Sequence, residues 1–285
     1  MPDPTMSTVE LAAGPIDYLD TGGSGPVVVL SHGFPMNHLQ WRKVIPLLDD
    51  LRCIAPTFPL GAHRTAMRRG TDLSQRGQAM IVADFLDALD LRDVTLVMND
   101  WGGPQFFVAF GRDERVGRLV FAACEAFDNF PPPPARPPAA LARVPGGAWL
   151  LAQAMRTRLL RHGSKGYGAM CHARIPEDVL DSWFDPAVRD AGVRADMRAF
   201  ATGAPPRRVA LDWSEALRGF ERPALVVWAR DDLMMPGDHG RRLAEILPNA
   251  TLVEIEESRT LIPEDRPDEF AAVLREFVLG SAPGP

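Results

Sequence analysis

Val94-Thr95-Leu96-Val97-Met98-Asn99-Asp100-Trp101-Gly102-Gly103 is the stretch on which the fold turns. Val94 to Met98 is short and almost wholly apolar, as a strand buried on both faces must be. The two glycines let the backbone turn sharply and let a helix come close to the strand. A strand, a tight turn with a polar side chain at its tip and then a helix is a device for presenting a nucleophile. The side chain at the tip is Asp100. A carboxylate can attack carbon and form an ester, and a helix N-terminus beneath it favours the ionised form. The plainer alternative is that Asp100 caps the helix, which Asp does well.

Outward from this turn, strand and helix alternate, which predicts an α/β sheet. Val27–Leu30, Arg52–Ala55, Leu119–Ala122, Ala224–Trp228 and Thr251–Ile255 read as further strands. Leu73–Leu89 carries Ile81, Phe85 and Leu89 on one helical face, and Pro267 opens a last helix that runs to Leu279. Between Asp128 and Arg222 no strand is predicted. That segment opens on Pro131–Pro134, Pro137 and Pro138, expected to be stiff and extended, and continues with helical patterns around Trp149, Leu150, Met155, Leu159, Val179 and Trp183. Gly22-Gly23-Ser24-Gly25 precedes a strand rather than opening a helix, so it reads as a turn and not a phosphate loop. A second polar turn, His32-Gly33-Phe34-Pro35, follows the strand at Val27–Leu30. Backbone N–H groups of Phe34 and Trp101 are candidates for an oxyanion or leaving-group site.

Composition narrows the function. The 285 residues are 46% hydrophobic and 24% charged, enough for a substantial core. A formal net charge of −6 argues against a nucleic-acid partner bound through a basic face. Cys53, Cys124 and Cys171 are too few and scattered for a disulfide framework or a zinc site. The apolar runs are too short to span a membrane, and Met1–Ala12 lacks the pattern of a signal segment. A cytoplasmic protein is expected, without metal or cofactor. Its expected partner is a small molecule, and a homodimer is left open. The histidines are His32, His38, His63, His162, His172 and His239, and none follows residue 239.

Taken together these motifs resemble the α/β-hydrolase-fold superfamily, in its haloalkane dehalogenase and epoxide hydrolase branch. That branch places Asp in the turn as Asp-Trp-Gly and a small residue, as at Asp100–Gly103, and carries a His-Gly motif as at His32–Pro35, followed here by Trp41. The resemblance covers Thr8 to Phe277. It implies a mostly parallel eight-stranded sheet flanked by helices. The core domain would span residues 1–127 and 220–285, and a helical cap residues 128–219. It also implies Asp100 as nucleophile and an acid partner at Asp232 in Arg230-Asp231-Asp232, with Asp231 one residue off, or at Glu125. Trp101 would take the leaving group, with Phe34 and His32 beside it. His38, Trp183, Tyr167 and Trp149 would line the substrate pocket. Dehalogenases cradle halide with this tryptophan and a second donor, and epoxide hydrolases protonate oxygen with two cap tyrosines. Here Phe34 replaces the usual second donor, and Tyr167 is the one tyrosine placed for the second task.

One element departs. The family's histidine follows the last strand, and the matching position in Glu257-Ser258-Arg259-Thr260-Leu261-Ile262-Pro263 is Thr260. Threonine has a hydroxyl but no useful basicity near pH 7. Loss of general base catalysis, about 10²–10⁴-fold, is expected to let an Asp100 ester accumulate. Three functions follow as expectations. The first is a hydrolase of C–halogen, epoxide or ester bonds in a small, largely apolar molecule. The second is a lyase, cyclase or isomerase in which Asp100 moves protons. The third is an inactive binding relative. Cap residues Arg156, Arg158, Arg161, Arg194 and Arg198 are expected on a solvated face, as is His239 on the surface.

Overall fold

The computed structural model describes residues 5–164 and 166–280. The first four residues of the stretch read for a signal segment lie outside the described residues. Eight strands form one sheet in the order β1-β2-β4-β3-β5-β6-β7-β8. They are β1 Thr5–Glu10, β2 Pro15–Asp20, β3 Val27–Ser31, β4 Arg52–Thr57, β5 Val94–Asp100, β6 Val116–Cys124, β7 Ala224–Ala229 and β8 Ala250–Ile255. All pairs from β3 to β8 are parallel, and β1 and β2 join antiparallel at one edge. The helices are α1 Gln75–Ala88, α2 Arg136–Arg143, α3 Gly147–Ala154, α4 Arg158–His162, α5 Glu177–Arg189, α6 Ala191–Thr202, α7 Arg207–Glu215, α8 His239–Ile246, α9 Ile262–Asp265 and α10 Pro267–Gly280.

Every residue of β5 and β7 is buried, which explains why their sequences show no alternation. Two apolar layers cover the sheet. Phe85, Phe107, Phe121 and Trp228 belong to one; Trp41, Val97, Val120, Phe270 and Leu274 belong to the other. Six helices, α2 to α7, lie between β6 and β7. The expected extended proline linker is shorter than anticipated. Pro133–Ala135 is a 3-10 turn and α2 already starts at Arg136, so Pro137 and Pro138 occupy its first turn. Proline fits there because those N–H groups have no helical partner. No helix among the described residues is long and apolar enough to cross a membrane.

In a parallel sheet the strands point their carboxyl ends to one side, and loops there build binding sites. The ends of β3, β5 and β6 converge in this way, and the α2–α7 segment packs over them. Met36 and Leu261 of the sheet loops share one apolar cluster with Tyr167, Met170 and Trp183.

Candidate active site

Asp100 ends β5 at φ +60°, a conformation rarely adopted by residues other than glycine, Asn and Asp. Strain of this kind persists where the surroundings over-determine it. Trp101 N–H closes the turn onto Asn99 O at 2.8 Å. The Asn99 side chain then ties together β6, the turn at Gln40 and the loop at Thr260. Its Nδ2 donates to Ala122 O and to Thr260 O, both at 2.7 Å. Its Oδ1 accepts from Gln40 Nε2 at 2.5 Å, and Gln40 Oε1 accepts from Gly33 N–H at 2.7 Å. The second turn is thereby pressed against the first. A Cβ on Gly33 would lie 2.3 Å from Asp100 Oδ2, and one on Gly102 only 1.8 Å from Glu125 O. Phe34 N–H donates to Asp100 Oδ2 at 2.9 Å.

Asp100 lies on a cavity of about 540 Å³, with Phe34, Gln75, Trp101 and Glu125 beside it. Tyr167, Met170, Trp183, Phe184 and Met197 from the helical segment face them, together with the prolines of the 131–138 stretch. Arg198 is the one arginine among the lining residues. Its Nε donates to Ala142 O at 2.8 Å and its Nη2 to Arg143 O at 3.2 Å, so the guanidinium is held by backbone.

Three carboxyls cluster at the site, and among the described residues that line the cavity the one cation is Arg198. Burial pushes the Asp100 carboxyl up from 3.8 to about 7; Phe34 N–H opposes this and the charge of Asp232 adds to it. Burial thus opposes the ionisation expected of a helix N-terminus. Gly103–Phe110 forms a 3-10 helix, whose poorer geometry offers little aligned dipole, and desolvation wins. Burial raises Glu125 well above the usual carboxylate range, and Asp100 raises it further. Asp232 is also raised by burial, against the pull of the Met235 and Met234 N–H groups and Thr260. Tyr167 is pushed well up by burial, then by Asp100 and Cys171.

The expected residues divide into those that share the cavity and those that do not. Asp100, Trp101, Glu125, Phe34, Tyr167 and Trp183 line it. Asp232 and Thr260 lie outside the lining. Asp232 Oδ1 accepts from Met234 N–H at 2.8 Å, Met235 N–H at 2.9 Å and Thr260 Oγ1 at 2.7 Å, while its buried Oδ2 has no partner. Asp231 is half exposed and holds His172 Nε2 at 3.0 Å. Trp149, expected in the pocket, is 50% exposed and borders a shallow surface depression instead; it falls on the outward face of α3. His32, expected beside the leaving group, is turned into the backbone: its Nε2 accepts from Phe58 N–H and its Nδ1 meets Gly33 O, both at 2.8 Å. Burial lowers its pKa to about 4, so it is neutral and structural. His38 contacts Thr57 Oγ1 at 3.1 Å and does not reach the cavity. His239, expected on the surface, is buried against Phe127.

Trp101 is placed as expected but its donors are taken. Its indole Nε1–H donates to Gln75 Oε1 at 2.7 Å, besides the N–H already bound to Asn99. Trp183 Nε1–H likewise donates to Asn37 Oδ1 at 3.1 Å. Nothing in the sequence singles out Gln75 or Gln40. Asn99 alone left a sign, a polar residue inside a buried strand.

A family model for the alpha/beta hydrolase fold matches residues 26–267. The chain belongs to the α/β-hydrolase fold family. It is 27% identical to haloalkane dehalogenase 2 of Mycobacterium tuberculosis over 293 residues, 96% of this chain and 97% of that one. Shorter matches are to a haloalkane dehalogenase of Mesorhizobium japonicum, 36% over 120 residues, and a soluble epoxide hydrolase of Corynebacterium, 34% over 121 residues. These span 38% and 41% of those proteins, and 41% and 40% of this chain. The crystal structure of a haloalkane dehalogenase from Bradyrhizobium elkani superposes with a TM-score of 0.78 at 19% identity, covering 98% of both chains.

Proposed function

We propose that this protein is a hydrolase of small, neutral, largely apolar molecules, in which Asp100 attacks carbon and forms an ester. The observation that carries the reading is Asp100 itself: a strained, buried carboxyl fixed by Phe34 N–H and opening on an apolar cavity of about 540 Å³. Residues 128–219 act as the cap over a core of residues 1–127 and 220–285. The relatives' names supply the class, carbon–halogen or epoxide cleavage, and the donors favour oxygen as leaving group. A departing halide would meet Trp101 Nε1–H already held by Gln75, which slows its release without preventing it, whereas an opening epoxide needs a proton, and Glu125 and Tyr167 both face the cavity. Arg198 Nε and Nη2 are held by backbone carbonyls, which points the guanidinium toward α2.

A panel of apolar terminal epoxides, styrene oxide among them, tests this by diol formation. Asp100→Asn is expected to abolish turnover and leave binding of the epoxide within about threefold. Turnover surviving in Asp100→Asn overturns the reading. The second reading, proton transfer by Asp100 in an isomerisation or elimination, draws on its pKa of about 7, close to the working pH of a general acid–base. It predicts loss of activity in the same variant with no ester formed at any time.

A further inference from the structure

Glu125 follows β6 directly and stands next to Asp100 by construction. Strands β5 and β6 pair Asp100 with Cys124, and Glu125 N–H donates to Asp100 O at 2.9 Å. Gln105 Nε2 clamps the two turns together, donating to Gly102 O at 2.6 Å and Glu125 O at 2.8 Å. The backbone beneath both carboxyls is thus fixed, and both side chains open on the same cavity. Among the described residues the other proton carrier on this cavity is Tyr167, whose phenol burial pushes well up, so it can donate a proton but is a poor base for water. None of the six histidines lines the cavity: His63 is held by Asp196, His162 by Glu177 and His172 by Asp231. Asp232 lies outside the lining, with its Oδ1 held by its own loop and by Thr260. Among the described residues the ionisable groups near Glu125 are Asp100, Tyr167 and Cys124, with Asp232 acting on Asp100 and Arg198 bound to backbone. Two carboxyls sharing a buried site disfavour double ionisation, which favours one keeping its proton.

We propose that Glu125 does the proton work for which the family's histidine is missing: it protonates the leaving oxygen, then as carboxylate takes a proton from the water that cleaves the Asp100 ester. The proposal rests on the reading of Asp100 as nucleophile. In the first step an Asp100 oxygen forms a bond to the epoxide carbon and the C–O bond breaks. The electron pair goes to oxygen, which takes the Glu125 proton. The result is a hydroxyalkyl ester and a Glu125 carboxylate. In the second step water adds to Asp100 Cγ as Glu125 removes its proton. The tetrahedral species collapses, and the proton of its new hydroxyl passes to the departing alkoxide. Diol leaves, and Asp100 carboxylate and protonated Glu125 are restored. Epoxide and one water are consumed, and the net charge of the pair stays at −1 throughout.

Glu125→Gln, matched in shape, separates the two steps. With styrene oxide, diol formation is expected to fall by about 10²–10⁴-fold, and Glu125→Asp to recover part of it. With 1-bromobutane, whose leaving group needs no proton, alkylation removes the Asp100 charge beside Glu125, which then gives its proton to solvent and serves as base; Glu125→Gln is expected to accumulate a butyl mass increment on the Asp100 peptide that wild type clears. Wild-type rates in Glu125→Gln overturn the proposal, as does loss of bromobutane alkylation in step with epoxide turnover, which marks a structural role. No increment on Asp100 in any variant while wild type turns over overturns the nucleophile reading, and this one with it. A substrate-free arm is ¹³C-carboxyl NMR of the folded protein. A Glu125 resonance in the protonated range at pH 7, absent in Glu125→Gln, supports the proposal, and an ionised Glu125 overturns it.

Discussion

Replacing Asp100 by Asn is expected to stabilise the fold, and to do so only above mildly acidic pH. Asn keeps an oxygen for Phe34 N–H and tolerates φ +60° as well as Asp does. What it removes is the cost of ionising a carboxyl in a buried, uncompensated site. The Asp100 pKa rises from 3.8 in the unfolded chain to about 7 in the folded one, equivalent to about 4 kcal/mol. The sign follows from linkage. Below the unfolded value both states are protonated and the variant gains nothing. Between 3.8 and about 7 the folded state binds more protons, so wild-type stability falls as pH rises, and above that range the full cost is present. Urea unfolding of both proteins at pH 4, 6 and 9 should show a difference near zero at pH 4 growing to about 4 kcal/mol at pH 9, or about 7 °C in Tm for a chain of this size. A gain that does not change with pH, or none at pH 9, would show that Asp100 ionises at no cost and refute the electrostatic account of the site.

Other perturbations separate placing from chemistry. Thr260→Val removes a donor from Asp232, already short of one partner, and should cost about 1–3 kcal/mol in urea unfolding while the folded fraction keeps its turnover rate. Gln75→Leu frees Trp101 Nε1–H toward the cavity and should let bromide quench tryptophan fluorescence at concentrations that leave wild type unaffected. Gly33→Ala drives a methyl into the Asp100 carboxyl and should cost about 1–3 kcal/mol of stability and about 100-fold in turnover through misplacement. Trp149→Ala, on an exposed position, should leave turnover of styrene oxide within twofold.

The sheet was legible because its central strands are buried on both faces and must be apolar throughout. The β1–β2 hairpin at the edge, with mostly exposed or half-exposed residues, leaves no such run. The elbow was legible because Asp100 and the two glycines meet a steric demand that few residues satisfy. Pairings across the site were not. Whether Trp101 points its N–H at a substrate or at Gln75 depends on where α1 starts, 26 residues earlier in the chain. Which carboxylate shares the cavity with Asp100 depends on loop geometry: Asp232 matches the family's spacing, yet its oxygen is claimed by Met234 and Met235 N–H groups within its own turn. Sequence likewise shows that His32 and Trp149 exist, but only packing decides that one turns into the backbone and the other into solvent.

The most direct test of the central claim is one turnover of styrene oxide in H₂¹⁸O with enzyme in excess, followed by mass analysis of the peptide that contains Asp100. Water cleaving an ester at Asp100 Cγ leaves its oxygen on the enzyme, so the account predicts one ¹⁸O in the Asp100 carboxyl and unlabelled diol. Labelled diol with an unlabelled Asp100 would mean that water, and not the carboxylate, attacks the substrate, and would contradict it.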